Sequence, residues 1–194
     1  AICYHMKRFL AYMFSVAIIL LCTLCSTDKG KLEDIETYIN ERPDSALQVL
    51  QSIDISSLTS NEVNHYHLLL AQAKDKCYID ETDDSIMLGV VDHYKSKSDF
   101  IKLFRAYYYI GRIQQNAGRD TDAMYSYTEA EQLLDHIDDD YVKGLLYAQL
   151  GALNHRSLDF NKALAAFNKA YDYFSRAGKT AHVNYTNLDI GNTY

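Results

Sequence analysis

From residue 60 onward, large apolar residues recur three and four positions apart, the spacing that lays one buried stripe along an α-helix. Residues 31–40 and 43–53 read as a shorter pair of helices, with Pro43 at a first helical position, where its missing N–H costs nothing. Thr59-x-x-Glu62 reads as a capping box opening the next helix. Gly118 and Gly178 fall where helices should stop and suit left-handed C-terminal caps. One proline and eight glycines leave little punctuation for a β-sandwich, whose turn residues recur about every 8–12 positions. The pattern predicts an all-α chain.

A longer period lies on top of the helical one. Tyr107-x-x-Ile110-Gly111 recurs as Tyr147-x-x-Leu150-Gly151 and as Asn187-x-x-Ile190-Gly191, a step of 40 residues each time. Ala123-x-x-x-Tyr127-x-x-Ala130 recurs as Ala163-x-x-x-Phe167-x-x-Ala170 at the same step. One step earlier, Leu70-Ala71 takes the Ile-Gly place, Met87 and Val90 take those of Tyr127 and Ala130, and Asp83 replaces the small alanine. Small residues at 111, 151, 123 and 163 let paired helices approach closely, while Tyr107, Tyr147, Tyr127 and Phe167 fill the gaps. Glycine inside a helix costs about 0.5–1 kcal/mol relative to alanine, so its return at a fixed register argues for a packing need.

This pattern resembles the tetratricopeptide repeat, whose signature runs W-x2-L-G-x2-Y, then A-x3-F, then P. The interval from glycine to alanine is 12 in both clear copies, as the family pattern requires. Tyrosine replaces the tryptophan, the closing proline is missing, and the period of 40 exceeds the roughly 34 of the common form. The resemblance covers roughly residues 60–194 and implies a right-handed solenoid of antiparallel helical hairpins. Its parts are an N-terminal hairpin at 31–58, a divergent repeat at 60–98, repeats at 100–139 and 140–179, and an incomplete one at 180–194. Arg42-Pro43-Asp44-Ser45-Ala46-Leu47 and Ala71-Gln72-Ala73-Lys74-Asp75-Lys76 also resemble the opening of a bacterial envelope family of repeat proteins. Members of that family often continue into more repeats, a membrane helix and a regulatory output domain. On this reading the chain is a fragment, with Val183, Leu188 and Ile190 awaiting a following hairpin.

Met6-Lys7-Arg8, the sixteen uncharged residues 9–24 and the polar run Ser26-Thr27-Asp28-Lys29 are the parts of an export signal. Met6 reads as the initiator, with residues 1–5 upstream of it. Sixteen residues fall short of the roughly 20 of a full membrane span. The segment around Cys22 and Cys25 resembles a bacterial lipoprotein signal, which implies a lipid on Cys25. The fit is partial, because Cys22 and Leu24 stand where leucine and a small residue are preferred; simple cleavage and an uncleaved anchor stay open. The segment thus points to the bacterial cell envelope, with the protein exported and associated with the membrane through its N-terminus. Cys77 is the single cysteine after Cys25, and a lone thiol allows no internal disulfide.

The net charge is −7, and two units more negative without Lys7 and Arg8. Phosphate contacts need a basic face, so nucleic acid is not an expected partner of this fragment. His65 and His67 are two apart and lie on different helical faces, and His136, His155 and His182 are far apart in sequence. The acidic runs 80–84 and 138–140 lack the alternation and central glycine of a calcium loop and read as solvated, helix-capping acid. No two glycines are two apart, so a G-x-G-x-x-G cradle cannot be written, and the G-x-S-x-G and P-loop patterns are missing. The expectation is a non-enzymatic protein with no metal, no cofactor and no small-molecule substrate.

In the repeat family a protein or peptide ligand lies on the concave face formed by the first helix of each repeat. Carried across, that face consists of Arg105, Tyr108, Arg112 and Gln115, then Leu145, Ala148, Ala152 and His155, then Tyr185, Leu188 and Asn192. The family's clamp for C-terminal carboxylates is not reproduced, because Tyr108 and Arg112, then Ala148 and Ala152, occupy its Lys and Asn places. Arg105 and Arg112 beside an exposed Tyr108 suit a peptide anchor. Equally, the two arginines solvate the helix or pair with acidic neighbours. The expected function is a protein-interaction scaffold in the envelope. The alternative is the sensory region of a longer membrane-bound signalling or transcriptional regulator.

Overall fold

The computed structural model describes residues 28–194; the export segment 1–24 and the lipidation candidate Cys25 lie outside them. The described chain is all-helical. Its helices are α1 (Asp28–Tyr38), α2 (Pro43–Gln51), α3 (Ser60–Lys76), α4 (Ser85–Lys97), α5 (Phe100–Asn116), α6 (Asp120–Glu131), α7 (Asp140–Arg156), α8 (Phe160–Arg176) and α9 (Thr180–Thr193). Two 3-10 turns, Ile55–Ser57 and Leu134–His136, lie between them, and no strand occurs among the described residues. None of these helices is long and apolar enough to cross a membrane.

Each helix packs on its neighbours in sequence, with further contacts between α1 and α3 and between α3 and α5. Two apolar clusters result. Leu32, Ile35 and Ile39 meet Leu47 and Leu50 of α2 and then Tyr66, Leu69 and Ala73 of α3. On the other side of α3, Leu68 opens a larger cluster that runs through α4 to α8 and includes Phe104, Tyr127, Leu146 and Phe174. Phe104 and Phe174 are each 1% exposed, and burying a side chain of that size stabilises by about 1.5–3 kcal/mol.

The forty-residue register is visible in how the helices start. Thr59 caps α3, with its Oγ1 accepting from Glu62 N and the Glu62 carboxylate accepting from Thr59 N at 2.8 Å, the expected capping box. Asp99 caps α5 by accepting from Lys102 N, and Asp139 caps α7 by accepting from Tyr141 N and Val142 N. At the fourth position of this series Lys179 begins α9 without a side-chain cap.

The ends follow the same register. Gly118 and Gly178 adopt φ of 72° and 66°, as expected of left-handed caps. Tyr78 and Leu158, forty residues either side of Gly118, hold the same left-handed conformation without being glycine, at φ 56° and 61°. The backbone bonds repeat too: Ile79 N donates to Lys74 O, Arg119 N to Gln114 O, and Asp159 N to Asn154 O. One helix end departs from the pattern. Asp138 stands where Gly178 stands one step later, and α6 gives way after Glu131 to a 3-10 turn. That change carries Ile137, Asp138 and Asp139 to the edge of a groove.

Candidate functional site

The groove runs between α1, α3, α5 and α7. It is made of two adjoining cavities of about 360 and 350 Å3 that share Asn40, Lys76, Tyr108, Tyr109, Tyr141 and Leu145. The first also meets Glu36, Ile101, Phe104 and Ile137; the second meets Asp75, Arg112, Tyr78, Gln149 and His182. The surface is aromatic and aliphatic, with charge set along its edges.

Tyr108 is 6% exposed, so the expected freely exposed ring is corrected: it forms part of the floor. Its neighbours one turn away on α5 are Phe104, Arg105 and Arg112, of which the arginines reach α3 and α7, and Tyr109 meets it edge-on at 5.1 Å between centroids. Burial pushes the hydroxyl pKa values of Tyr108 and Tyr109 up, which keeps both rings neutral.

Both arginines pair with acidic neighbours, the second of the two expected roles. Arg105 donates to Glu36 of α1 and to Gln72 of α3, and Gln72 Nε2 donates to Asn40 at 3.0 Å. Arg112 Nε donates to Asp75 Oδ1 at 2.7 Å, and its Nη1 reaches Gln149 at 3.2 Å and Gln115 at 3.3 Å. Burial is the largest influence and works against the Arg112 charge, but Asp75, with Tyr108 and Tyr127, raises its pKa overall and holds the guanidinium ionised. Each arginine thus ties together helices from neighbouring parts of the chain. Their planar forks are well suited to this bridging.

Gln115 lines neither cavity: its Oε1 accepts from Tyr127 Oη at 2.7 Å and from Arg112. His155 lies apart, in a smaller cavity of about 220 Å3 with Ala152, Arg156, Phe167, Asp189 and Asn192. Of the five candidate partner-binding residues, the structure therefore brings Arg105, Tyr108 and Arg112 to the groove and leaves Gln115 and His155 outside it. Tyr185 and Leu188 of α9 are exposed.

The groove residues not proposed for binding from the sequence include Tyr109, Tyr141, Lys76 and His182. Tyr141 could have been found, because it lies forty residues after Ile101, and both meet the first cavity. Lys76 and His182 carry no comparable periodic signal.

Among the described residues, no group of three His, Cys, Asp or Glu side chains is placed to hold a metal ion. Cys77 Sγ donates to Asp44 Oδ1 at 3.3 Å, and burial followed by that contact raises the thiol pKa, so little nucleophilic thiolate forms. Comparison of the chain with protein-family models, with curated proteins and with solved structures finds no match.

Proposed function

We propose that this protein is a non-catalytic interaction scaffold whose groove takes an extended peptide or protein segment. The observation that carries the reading is the continuity of the two cavities across a shared floor of Tyr108, Tyr109, Tyr141 and Leu145. Aromatic side chains provide broad contact area with few rotatable bonds, which is why they dominate binding surfaces. The forty-residue recurrence of caps, left-handed ends and glycine contacts supports a solenoid of helical hairpins resembling tetratricopeptide repeats. In such an array a groove along the first helices is where a segment from another protein would lie.

The basic start, apolar run and Cys25 support export to the bacterial envelope and attachment to the membrane there. Fractionation of cells expressing the full chain tests this part. Native protein should sediment with membranes and Cys25→Ala should be released; a soluble native protein would remove the membrane assignment.

For the groove, the test is capture of partners from envelope extracts by native protein, Leu145→Arg and Tyr125→Arg. Leu145 belongs to both cavities, whereas Tyr125 is an exposed residue of α6 that meets neither. Capture should be lost with Leu145→Arg and kept with Tyr125→Arg, both variants melting within a few degrees of native protein. The reverse pattern places the binding surface elsewhere.

A further inference from the structure

Two lysines and a histidine gather around a single ring at one end of the groove; Lys76 and His182 line its cavities, and Lys179 lines neither but reaches the same ring. Lys179 Nζ lies 4.8 Å from the centroid of Tyr141, Lys76 Nζ lies 6.0 Å from it, and the His182 ring meets it edge-on at 5.2 Å. Neither lysine forms a salt bridge or a side-chain hydrogen bond among the described residues. Asp75, the carboxylate that acts on Lys76, receives Arg112, and Asp139 caps α7. Asp138 and Asp139 line the first cavity with Lys76, while neither lines the second, where Lys76 and His182 meet.

This cluster carries a cost that the cation–π contacts with Tyr141 and the nearby Asp75 offset only in part, because the Lys76 pKa stays lowered. Burial pushes the Lys76 ammonium pKa down; Asp75 opposes the shift and Lys179 adds to it. Burial, then Lys179 and Lys76, push His182 down as well. Lys179 also occupies the cap position filled by Thr59, Asp99 and Asp139 in the preceding steps of the register. A lysine there gives up a cap hydrogen bond and places a cation at the positive end of a helix, both unfavourable. Departures from a local rule without a gain in stability are the positions where function is expected.

We propose that Lys76, Lys179 and His182 form an anion-recognising end of the groove, and that its occupant is a peptide segment with an acidic side chain beside large apolar ones. This inference rests on the groove reading above and adds the chemistry of the ligand. The acidic group would meet the two ammonium groups at Tyr141, and the apolar neighbours would lie on Tyr108, Tyr109 and Leu145. A nucleic acid is disfavoured as the occupant, because a chain with net charge −7 repels a polyanion beyond this one cluster.

The test is fluorescence anisotropy on the full chain with two labelled peptides blocked at both ends, Glu-Leu-Phe-Glu-Leu-Phe and Gln-Leu-Phe-Gln-Leu-Phe. Blocking leaves only side-chain carboxylates. The acidic peptide should bind about tenfold more tightly at low ionic strength, with the advantage shrinking as salt screens the charges. Lys76→Gln with Lys179→Gln should abolish the difference without lowering the melting temperature, while Lys97→Gln on α4 should preserve it. Equal binding of both peptides, or binding of neither, overturns the inference. So does lysine-dependent binding of phosphatidylglycerol vesicles without binding of the acidic peptide, which assigns the cluster to a lipid surface. Loss of partner capture with Leu145→Arg but not with the lysine double variant leaves the groove reading standing and removes only the anion site.

Discussion

The ring of Tyr127 occupies the space into which a side chain at Gly111 would project: a Cβ built there would lie 2.4 Å from Cε1 of the tyrosine. Forty residues later the same relation holds between Gly151 and Phe167, at 2.5 Å to Cδ1. A third contact of this kind joins Gly144 to Phe174, at 2.6 Å. Gly191, at the next step of the register, has nothing within 4 Å. Gly111→Ala and Gly151→Ala should therefore each destabilise by about 1–3 kcal/mol, because the ring must leave its place in a packed core. Gly191→Ala should instead be neutral or stabilise by up to about 1 kcal/mol, since only helix propensity changes. Chemical denaturation of the three variants checks this, and equal losses at all three sites would falsify the packing account.

The contrast shows which parts of the fold are legible in the sequence. Gly111 and Tyr127 are read correctly as a close approach and its filler, because the pair recurs and a helical glycine needs a reason. The Thr59 capping box and the glycine ends are legible for the same cause: few residue types do those jobs. Gly144 against Phe174 is missed, because the residues forty positions earlier are Phe104 and Leu134, and no repeat marks the pair. The site is less legible. Arg105 and Arg112 read equally as peptide anchors and as partners of acid until the fold brings Glu36 and Asp75 to them from roughly 70 and 37 residues away, distances that no local pattern encodes.

The left-handed helix ends give a second prediction. Gly118 has open space around its missing Cβ but φ of 72°, so Gly118→Ala meets conformational strain and no clash. The expected loss is about 1 kcal/mol, the usual penalty of this region for a residue with a Cβ. Leu158 holds φ of 61° with 73% of its surface exposed, so its side chain returns little for that strain. Leu158→Gly should accordingly leave the melting temperature unchanged or raise it. A clear fall would mean that Leu158 contributes packing beyond its small buried fraction.

Glu36 makes stability depend on acid. His65, then Arg105, against the opposing effect of burial, lower its pKa from 4.5 to about 2. His65 Nε2 lies 3.1 Å from Glu36 Oε2. A folded-state pKa below the unfolded value means that the stabilisation is full above the unfolded pKa. It is lost as pH falls from about 4.5 toward about 2. The Glu36 side chain is 34% exposed, and water screens part of the attraction. The readout is therefore the difference in slope between melting curves of native protein and Glu36→Gln across that window. Native protein should lose stability more steeply; parallel slopes would show that the Glu36 charge contributes nothing to the tie between α1 and α5.

The start of α9 allows a prediction in which two effects of similar size must be weighed. Lys179→Asp restores the residue type that caps α5 and α7, where the carboxylate accepts from backbone N–H groups of the first turn. Such a cap is worth about 0.5–2 kcal/mol, and a negative charge there also complements the helix dipole. The change removes the contact of the ammonium with the Tyr141 ring at 4.8 Å, worth about 0.5–1 kcal/mol at an exposed position. It also removes the repulsion between Lys179 and Lys76. The balance favours the variant by roughly 0.5–1 kcal/mol, a rise in melting temperature of about 1–4 °C for a chain of this size. Asp139→Lys, the reciprocal change on α7, should lower the melting temperature by a comparable amount. If Lys179→Asp melts lower than native protein, the lysine contributes more through Tyr141 than a cap would, and its place in the register is explained by stability alone.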